Sequence, residues 1–255
     1  MEHRLNPQTA APWVDRWESR QKLYATAREE RFDVVVDVVS HTVRHEARPL
    51  VADLGCGPGS LAVRLATALP HARVVAVDHD PLLLALGDAC HGTGLAFVDA
   101  RIGTGPWQER LTADGPLDAV VSATALHYLE PEALSSVYER VHDLLRPGGV
   151  LVNADHLFQD DAPVRELAAA VGRGHERRSK EPAADEDWNG WWAAARACRE
   201  FGELLAERRR RALDPGSDNG LSAQQHMELM RKAGFRAVGT VWQYGHSCVL
   251  AAVRS

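Results

Sequence analysis

The chain has 255 residues, 45% of them hydrophobic and 25% charged, an ordinary globular composition with enough apolar surface for one large core. A formal net charge of −6 denies the surface a general attraction for phosphate backbones, so nucleic acid is not the expected partner. The opening M-E-H-R-L-N-P-Q-T-A has no apolar signal segment, no run of about 18 apolar residues follows, and Cys56, Cys90, Cys198 and Cys248 are scattered without a C-x-x-C pair; a cytoplasmic protein with reduced thiols, no membrane span and no metal site is expected.

Residues 1–47 are predicted to be helical and to form a lid. Trp13, Trp17, Arg20 and Tyr24 share one face, and Phe32, Val35, Val36, Val39 and Val43 make a second, apolar stripe. Pro49 turns the backbone toward an extended conformation. Short apolar runs at 50–54, 73–77, 95–98, 117–121 and 150–152 then alternate with helical patterns at 60–69, 81–89 and 131–145. The runs lack in/out alternation, as strands buried on both faces do, so the expected fold is α/β, a Rossmann-like doubly wound sheet that is mostly parallel.

Residues 157–220 break this rhythm with a charged, tryptophan-rich helical insertion, whose middle at 177–187 reads as an exposed loop. Ser222 and Gln225 form a capping box and Gly234 stops the helix. Runs at 235–242 and 247–253 flank Tyr244-Gly245 and complete seven strands with an antiparallel hairpin. The chain reads as one domain, 1–255: lid 1–47, core 48–156, insertion 157–220, final helix and hairpin 221–255. Monomer and homodimer both stay open.

The most informative stretch is V-A-D-L-G-C-G-P-G-S, from Val51 to Ser60. A buried strand runs into Gly55, Gly57 and Gly59 and then into a helix. Such a turn lets a ligand approach the backbone without a Cβ in the way, at the carboxyl edge of a parallel sheet. The spacing is G-x-G-x-G, where a dinucleotide fingerprint has G-x-G-x-x-G. Asp53 stands two positions before the first glycine, where its carboxylate suits an ammonium group. V-V-A-V-D-H-D ends the second strand on Asp78, placed to accept ribose hydroxyls, with His79 beside it.

Together with these two motifs, F-V-D-A-R at Asp99, L-D-A-V-V-S-A-T-A-L-H-Y-L through Ser122 and His127, and L-L-R-P-G-G-V-L-V-N-A-D-H resemble, in order, the motifs of class I S-adenosylmethionine-dependent methyltransferases. The resemblance covers roughly residues 48–156, and the final hairpin fits it too. It implies S-adenosyl-L-methionine as cofactor and S-adenosyl-L-homocysteine as product. Asp53 and the Gly55–Gly57 backbone would hold the methionine part, Asp78 the ribose, and Asp99 the adenine amino group with the Ala100 N–H nearby. Ser122 or Ala123 would offer a carbonyl to the cofactor amine.

Methyl transfer needs alignment of the nucleophile, exclusion of water and, for a protonated nucleophile, a proton acceptor. His127 and His156 are the candidate bases and acceptor contacts, on segments following the fourth and fifth strands. Trp188, Trp191 and Trp192 share a helical face that either glues the insertion down or roofs a small organic acceptor. Arg31 and Tyr24, on the N-terminal face with Arg20, are candidates to close on the cofactor carboxylate. The arginines at 208–211 read as a solvated helix face, with an anionic partner as the alternative. The absence of N-P-P-Y or D-P-P-Y after the fourth strand, the acidic charge and the aromatic insertion favour a small-molecule acceptor, and the A-D-H motif resembles relatives linked to O-methylation of carboxylates or natural products. RNA methylation, a dehydrogenase and a cofactor-binding module without turnover are the competing readings.

Overall fold

In the computed structural model the described residues are 5–24, 26–111, 115–179, 187–213 and 218–255, with the side chains of Leu23, Tyr24 and Ser179 excluded. The apolar run Leu50–Leu54 becomes β1, with all five residues buried because helices cover both faces of the sheet. It pairs in parallel with β2 (Arg73–Asp78) on one side and β4 (Leu117–Ala123) on the other. β3 (Ala96–Asp99) extends the sheet beyond β2, and β5 (Leu145–His156) extends it beyond β4. β6 (Ala237–Tyr244) and β7 (Ser247–Val253) form the antiparallel hairpin. The resulting order is β3-β2-β1-β4-β5-β7-β6, with β7 inserted antiparallel between β5 and β6. Strand order reverses between β1 and β4, and the crevice at that switch point is where doubly wound sheets bind ligands.

Nine α-helices are present among the described residues. α1 spans Pro7–Tyr24, α2 Arg28–Val43, α3 Ser60–Ala68, α4 Pro81–His91 and α5 Pro131–Leu144. The later ones are α6 (Ala162–Ser179), α7 (Trp188–Ala197), α8 (Gly202–Arg210) and α9 (Ala223–Lys232). The stripe Phe32, Val35 and Val39 of α2, with Leu61 and Leu65 of α3, packs on Val51, Ala76, Val121 and Val152 of the sheet. On the opposite face, Leu134, Val137 and Val141 of α5 and Met230 of α9 pack on Ala52, Val75, Val120 and Leu151. Each such buried aliphatic side chain contributes roughly 1.5–3 kcal/mol. A third cluster joins α1, α4, α7 and α8 through Trp17, Leu82, Leu86, Trp191 and Leu205. Helices α7 and α8 of the insertion therefore anchor on α1 and α4 at the β1–β3 side of the fold, while α6 lies against the β6–β7 hairpin.

Local signals set the helix ends. Pro131 opens α5, and Ser222 with Gln225 forms the capping box of α9. Asp80 caps α4 by accepting from the N–H groups of Leu82 and Leu83. Two expected strands depart from their bounds by two residues or more at both ends. β5 begins at Leu145, because the R-P-G-G stretch continues its pairing edge, with Gly148 at a positive φ. The run expected at 235–242 starts at Ala237, because Phe235 folds back after Gly234 and its N–H donates to the Met230 carbonyl inside the core. In the expected loop at 177–187, Arg177 and Arg178 belong to α6, Asp187 caps α7, and residues 180–186 lie outside the described residues. Among the described residues no helix is long and apolar enough to cross a membrane.

Candidate active site

The glycine turn leaves β1 and is pinned to β2, since the N–H groups of Gly55 and Cys56 both donate to the Val77 carbonyl at 2.8 and 3.0 Å. Gly55 has a φ of +75°, and a Cβ there would lie 2.2 Å from the Ala125 Cβ, so the exit of β4 crosses directly over a bare backbone. Gly57, with a φ of +55°, donates its N–H to Asp78 Oδ2 at 2.8 Å. Above the turn opens a cleft of about 450 Å³, its open mouth included, lined among others by Trp17, Arg28, Asp53, Gly57 and Thr124.

Three carboxylates mark the tips of β1, β2 and β3. Asp53 is buried and its Oδ2 has no partner. Burial pushes its pKa up to about 7, against the opposing pull of the Ala62 N–H. Asp78 is also raised by burial, although it accepts from three backbone N–H groups: Gly57 on Oδ2, and His79 and Asp80 on Oδ1. Most of its acceptor capacity is thus used, which narrows the expectation that it takes both ribose hydroxyls. Asp99 is half-exposed and held by Arg211 through two bonds of 2.7 and 2.8 Å. Arg211 also donates to the His79 carbonyl at 2.9 Å. The Ala100 N–H, expected near the adenine, is spent on the Asp78 carbonyl at 2.8 Å.

The arginine run is not simply a solvated face. Arg208 donates to Asp80 Oδ2 at 2.6 Å, and Arg211 grips Asp99, so the first and last members of the run strap the end of α8 to the tips of β2 and β3. Arg209 and Arg210 are exposed. The tryptophan reading is corrected in the same way. Trp191 is fully buried and Trp192 nearly so, with Trp191 packed edge-on to Trp13, Trp17 and Trp192 at 5.0–5.5 Å. Rings enclosed in this way glue the insertion to α1 and have no face left for an acceptor. Trp188 is half-buried beneath the Arg20 guanidinium, which lies 3.8 Å from its ring centroid. Trp17 instead reaches the cleft.

Across the switch point the polar groups differ. Ser122 donates its hydroxyl to the Leu54 carbonyl at 2.7 Å and is fully buried, while Ala123 and Thr124 line the cleft. Thr124 has a φ of +55°, a left-handed conformation that costs a β-branched residue about 1–3 kcal/mol and clusters at functional sites. Its hydroxyl accepts from Arg31, which also donates to the Ser247 hydroxyl. Arg31 therefore lies between the tips of β4 and β7. The Tyr24 side chain lies outside the described residues.

His127 and His156 do not line the cleft; they flank Asp155, which is fully buried. Asp155 Oδ1 is 2.7 Å from His127 Nδ1 and accepts the His156 N–H at 2.8 Å. Burial opposes the charge on His127, but the Asp155 hydrogen bond and charge outweigh it and raise its pKa. His156 is driven the other way, to about 4, by burial and then by the charge of Arg31, so it is neutral at physiological pH.

Reading the sequence alone overlooked Thr124, Ser247, Glu18 and Arg28. Glu18 bonds the Ser60 hydroxyl at the start of α3 and pairs with Arg28 at 2.8 Å, joining α1 and α2 at the mouth of the turn. The one available signal was Glu18 lying next to Trp17 on the α1 face.

A bare-backbone turn under three strand-tip carboxylates defines a receptor for a cofactor bearing hydroxyl and ammonium groups on a Rossmann-like sheet. Residues 51–149 match the methyltransferase domain family. The chain is 28% identical over 204 residues to a carboxy-S-adenosyl-L-methionine synthase of Chromohalobacter salexigens, covering 76% of this chain and 64% of that protein. It is 31% identical over 178 residues to a trans-aconitate 2-methyltransferase of Methylobacterium radiotolerans, covering 65% of each. The fold matches an O-methyltransferase family protein of Burkholderia thailandensis with a TM-score of 0.56 and 18% identity, covering 88% of this chain and 56% of that one. Over residues 51–149 the chain carries a methyltransferase domain, whose cofactor is S-adenosylmethionine. It spans just under two thirds of the length of these two curated relatives.

The residues present fit that cofactor. The buried, unpartnered oxygen of Asp53 suits the methionine ammonium, and it borders the same cleft as the glycine turn.

Proposed function

We propose that the protein transfers a methyl group from S-adenosylmethionine to a small organic acceptor, on a carboxylate or hydroxyl oxygen. The observation that carries this reading is the buried, unpartnered Asp53 oxygen beside the glycine turn, with Asp78 and Asp99 in register at the next two strand tips. Bound S-adenosylmethionine supplies an electrophilic methyl carbon with its leaving group already attached. Asp53 and the Gly55–Gly57 backbone hold the amino-acid end, Asp78 with the neighbouring His79 turn takes a ribose hydroxyl, and Asp99 takes the adenine edge. Ala123, beside Ser122, offers its carbonyl to the amine.

The chain's main contribution is then positioning and exclusion of water. His127, held by Asp155, stands on the acceptor side to accept a proton where the nucleophile carries one, whereas His156, with its pKa lowered to about 4, is too weak a base for that step. The relatives named for trans-aconitate support a small acceptor, and the internal pairing of Arg208 and Arg211 takes away the phosphate contacts an RNA substrate would need.

Incubation with methyl-labelled cofactor and a metabolite extract, followed by mass spectrometry, tests this reading. Labelled small molecules are expected, and Asp78→Ala is expected to lower cofactor affinity by about 30-fold or more and to remove the label. Cofactor binding without any labelled product would mark a binding module; label in RNA would mark a different acceptor.

A further inference from the structure

Asp99, Asp78 and Asp53 stand at the tips of β3, β2 and β1, and Asp155 at that of β5, whereas the Arg31 guanidinium stands between the tips of β4 and β7. Arg31 is fully buried. Among the described residues its hydrogen-bond acceptors are two hydroxyls, Thr124 Oγ1 at 3.2 Å and Ser247 Oγ at 3.4 Å, both long for a charged donor, and its Nε has no partner. Among the described residues no carboxylate lies within 4.0 Å of it; Asp155 attracts it only from farther away and is itself committed to His127 and the His156 N–H.

Burial lowers the Arg31 pKa only to about 10, so the cation persists at neutral pH. A buried cation held by hydroxyls alone costs folding free energy that a counter-anion restores. His156 Nε2, buried without a partner and within the field of Arg31, adds a second unused polar atom on the same side. Thr124 lines the cleft, so an anion in the cleft reaches the guanidinium through the Thr124 side.

We propose that Arg31, flanked by the hydroxyls of Thr124 and Ser247, receives a carboxylate group carried by the methyl acceptor, which makes the acceptor an organic acid. This rests on the methyltransferase reading above and adds the acceptor's class. The position argues for the acceptor and against the cofactor as the source of the anion: the three acids that suit the cofactor all lie on the other side of the switch point. The planar fork of an arginine matches a carboxylate in two-point contact, which a lysine does not reproduce.

The test uses the full chain saturated with S-adenosylhomocysteine. A series of aliphatic mono-, di- and tricarboxylic acids, each beside its amide, is titrated and read by tryptophan fluorescence and ligand-observed NMR. At least one acid is expected to bind about tenfold or more tightly than its amide. Arg31→Gln is expected to abolish that preference, with Arg31→Lys keeping part of it, while affinity for S-adenosylhomocysteine stays within about twofold of the parent. Equal binding of acids and amides, or no binding of any acid, overturns the proposal without needing a variant. Loss of S-adenosylhomocysteine affinity in Arg31→Gln with acid binding unchanged also overturns it, and assigns the anion to the cofactor's own carboxylate. Failure of the parent chain to bind S-adenosylhomocysteine is a separate outcome, which removes the methyltransferase reading itself.

Discussion

The two halves of the sheet's carboxyl edge are built from different materials. At the tips of β1 and β2 the buried charges are the carboxylates Asp53 and Asp78, and Asp78 is steadied by backbone N–H donors from the glycine turn and the residues leading into α4, while the half-exposed Asp99 of β3 is held by Arg211. At the tips of β4, β5 and β7 a guanidinium carried in from α2 stands among hydroxyls, and the buried Asp155 stands between two histidines. Backbone donors suit a ligand whose shape the turn itself fixes. On the reading proposed above, the difference separates a cofactor half built from local sequence from an acceptor half built by tertiary placement.

The largest expected effect lies in the cofactor half. Gly55→Ala places a methyl group against Ala125 and forces alanine to a φ of +75°. Stability is expected to fall by about 2–4 kcal/mol, with S-adenosylhomocysteine affinity lost by about 100-fold or more. Calorimetry and a urea melt measure both; a variant that binds normally would show that the turn tolerates a side chain.

Next comes the proton on Asp53. With a pKa pushed up to about 7, this carboxyl is largely neutral in mildly acidic solution, and an ammonium ligand favours its ionised form. Cofactor affinity is therefore expected to rise as pH increases toward 7 and then level off, with proton release on binding below that point. Titration in two buffers of different ionisation enthalpy reads the release directly. Asp53→Asn is expected to flatten the profile.

A smaller effect links the halves through His156. Its folded pKa of about 4 lies below the ordinary 6.5, so the unfolded chain binds this proton more readily. The stability it contributes is complete above 6.5 and is lost as pH falls toward 4, by on the order of 1 kcal/mol or more. His226, also lowered to about 4 by burial, acts in the same direction. Arg31→Gln is expected to raise the His156 pKa, measured by NMR; an unmoved value would mean that burial alone sets it.

The smallest effect concerns the strap. Arg211 and Asp99 are partly exposed, and such pairs contribute about 0–1 kcal/mol. Arg211→Gln is expected to change stability little and, by freeing Asp99, to tighten S-adenosylhomocysteine binding about two- to threefold. Weaker binding would instead give the arginine a direct part in holding the cofactor.

What could be read from the sequence follows the same division. The doubly buried strands, the capping box at Ser222 and the G-x-G-x-G turn are local patterns, and each appears where its periodicity or turn chemistry places it. The acids at Asp53, Asp78 and Asp99 sit at strand ends, so finding the strands found them. Arg31 was visible only as one face of a helix. Its neighbours Thr124 and Ser247 are 93 and 216 residues away along the chain, a relation that no local pattern encodes. The tryptophans were correctly seen to share a face, but which surface that face meets depends on how α7 docks on α1. The ion pairs of Arg208 and Arg211 likewise depend on where α8 comes to rest.

A crystal structure of the chain with S-adenosylhomocysteine bound tests the division of the edge most directly. The expected complex has the ligand's amino group at Asp53, its ribose at Asp78, and its own carboxylate away from Arg31. Contact between that carboxylate and Arg31, or a nucleoside seated over β5 and β7, would contradict the account.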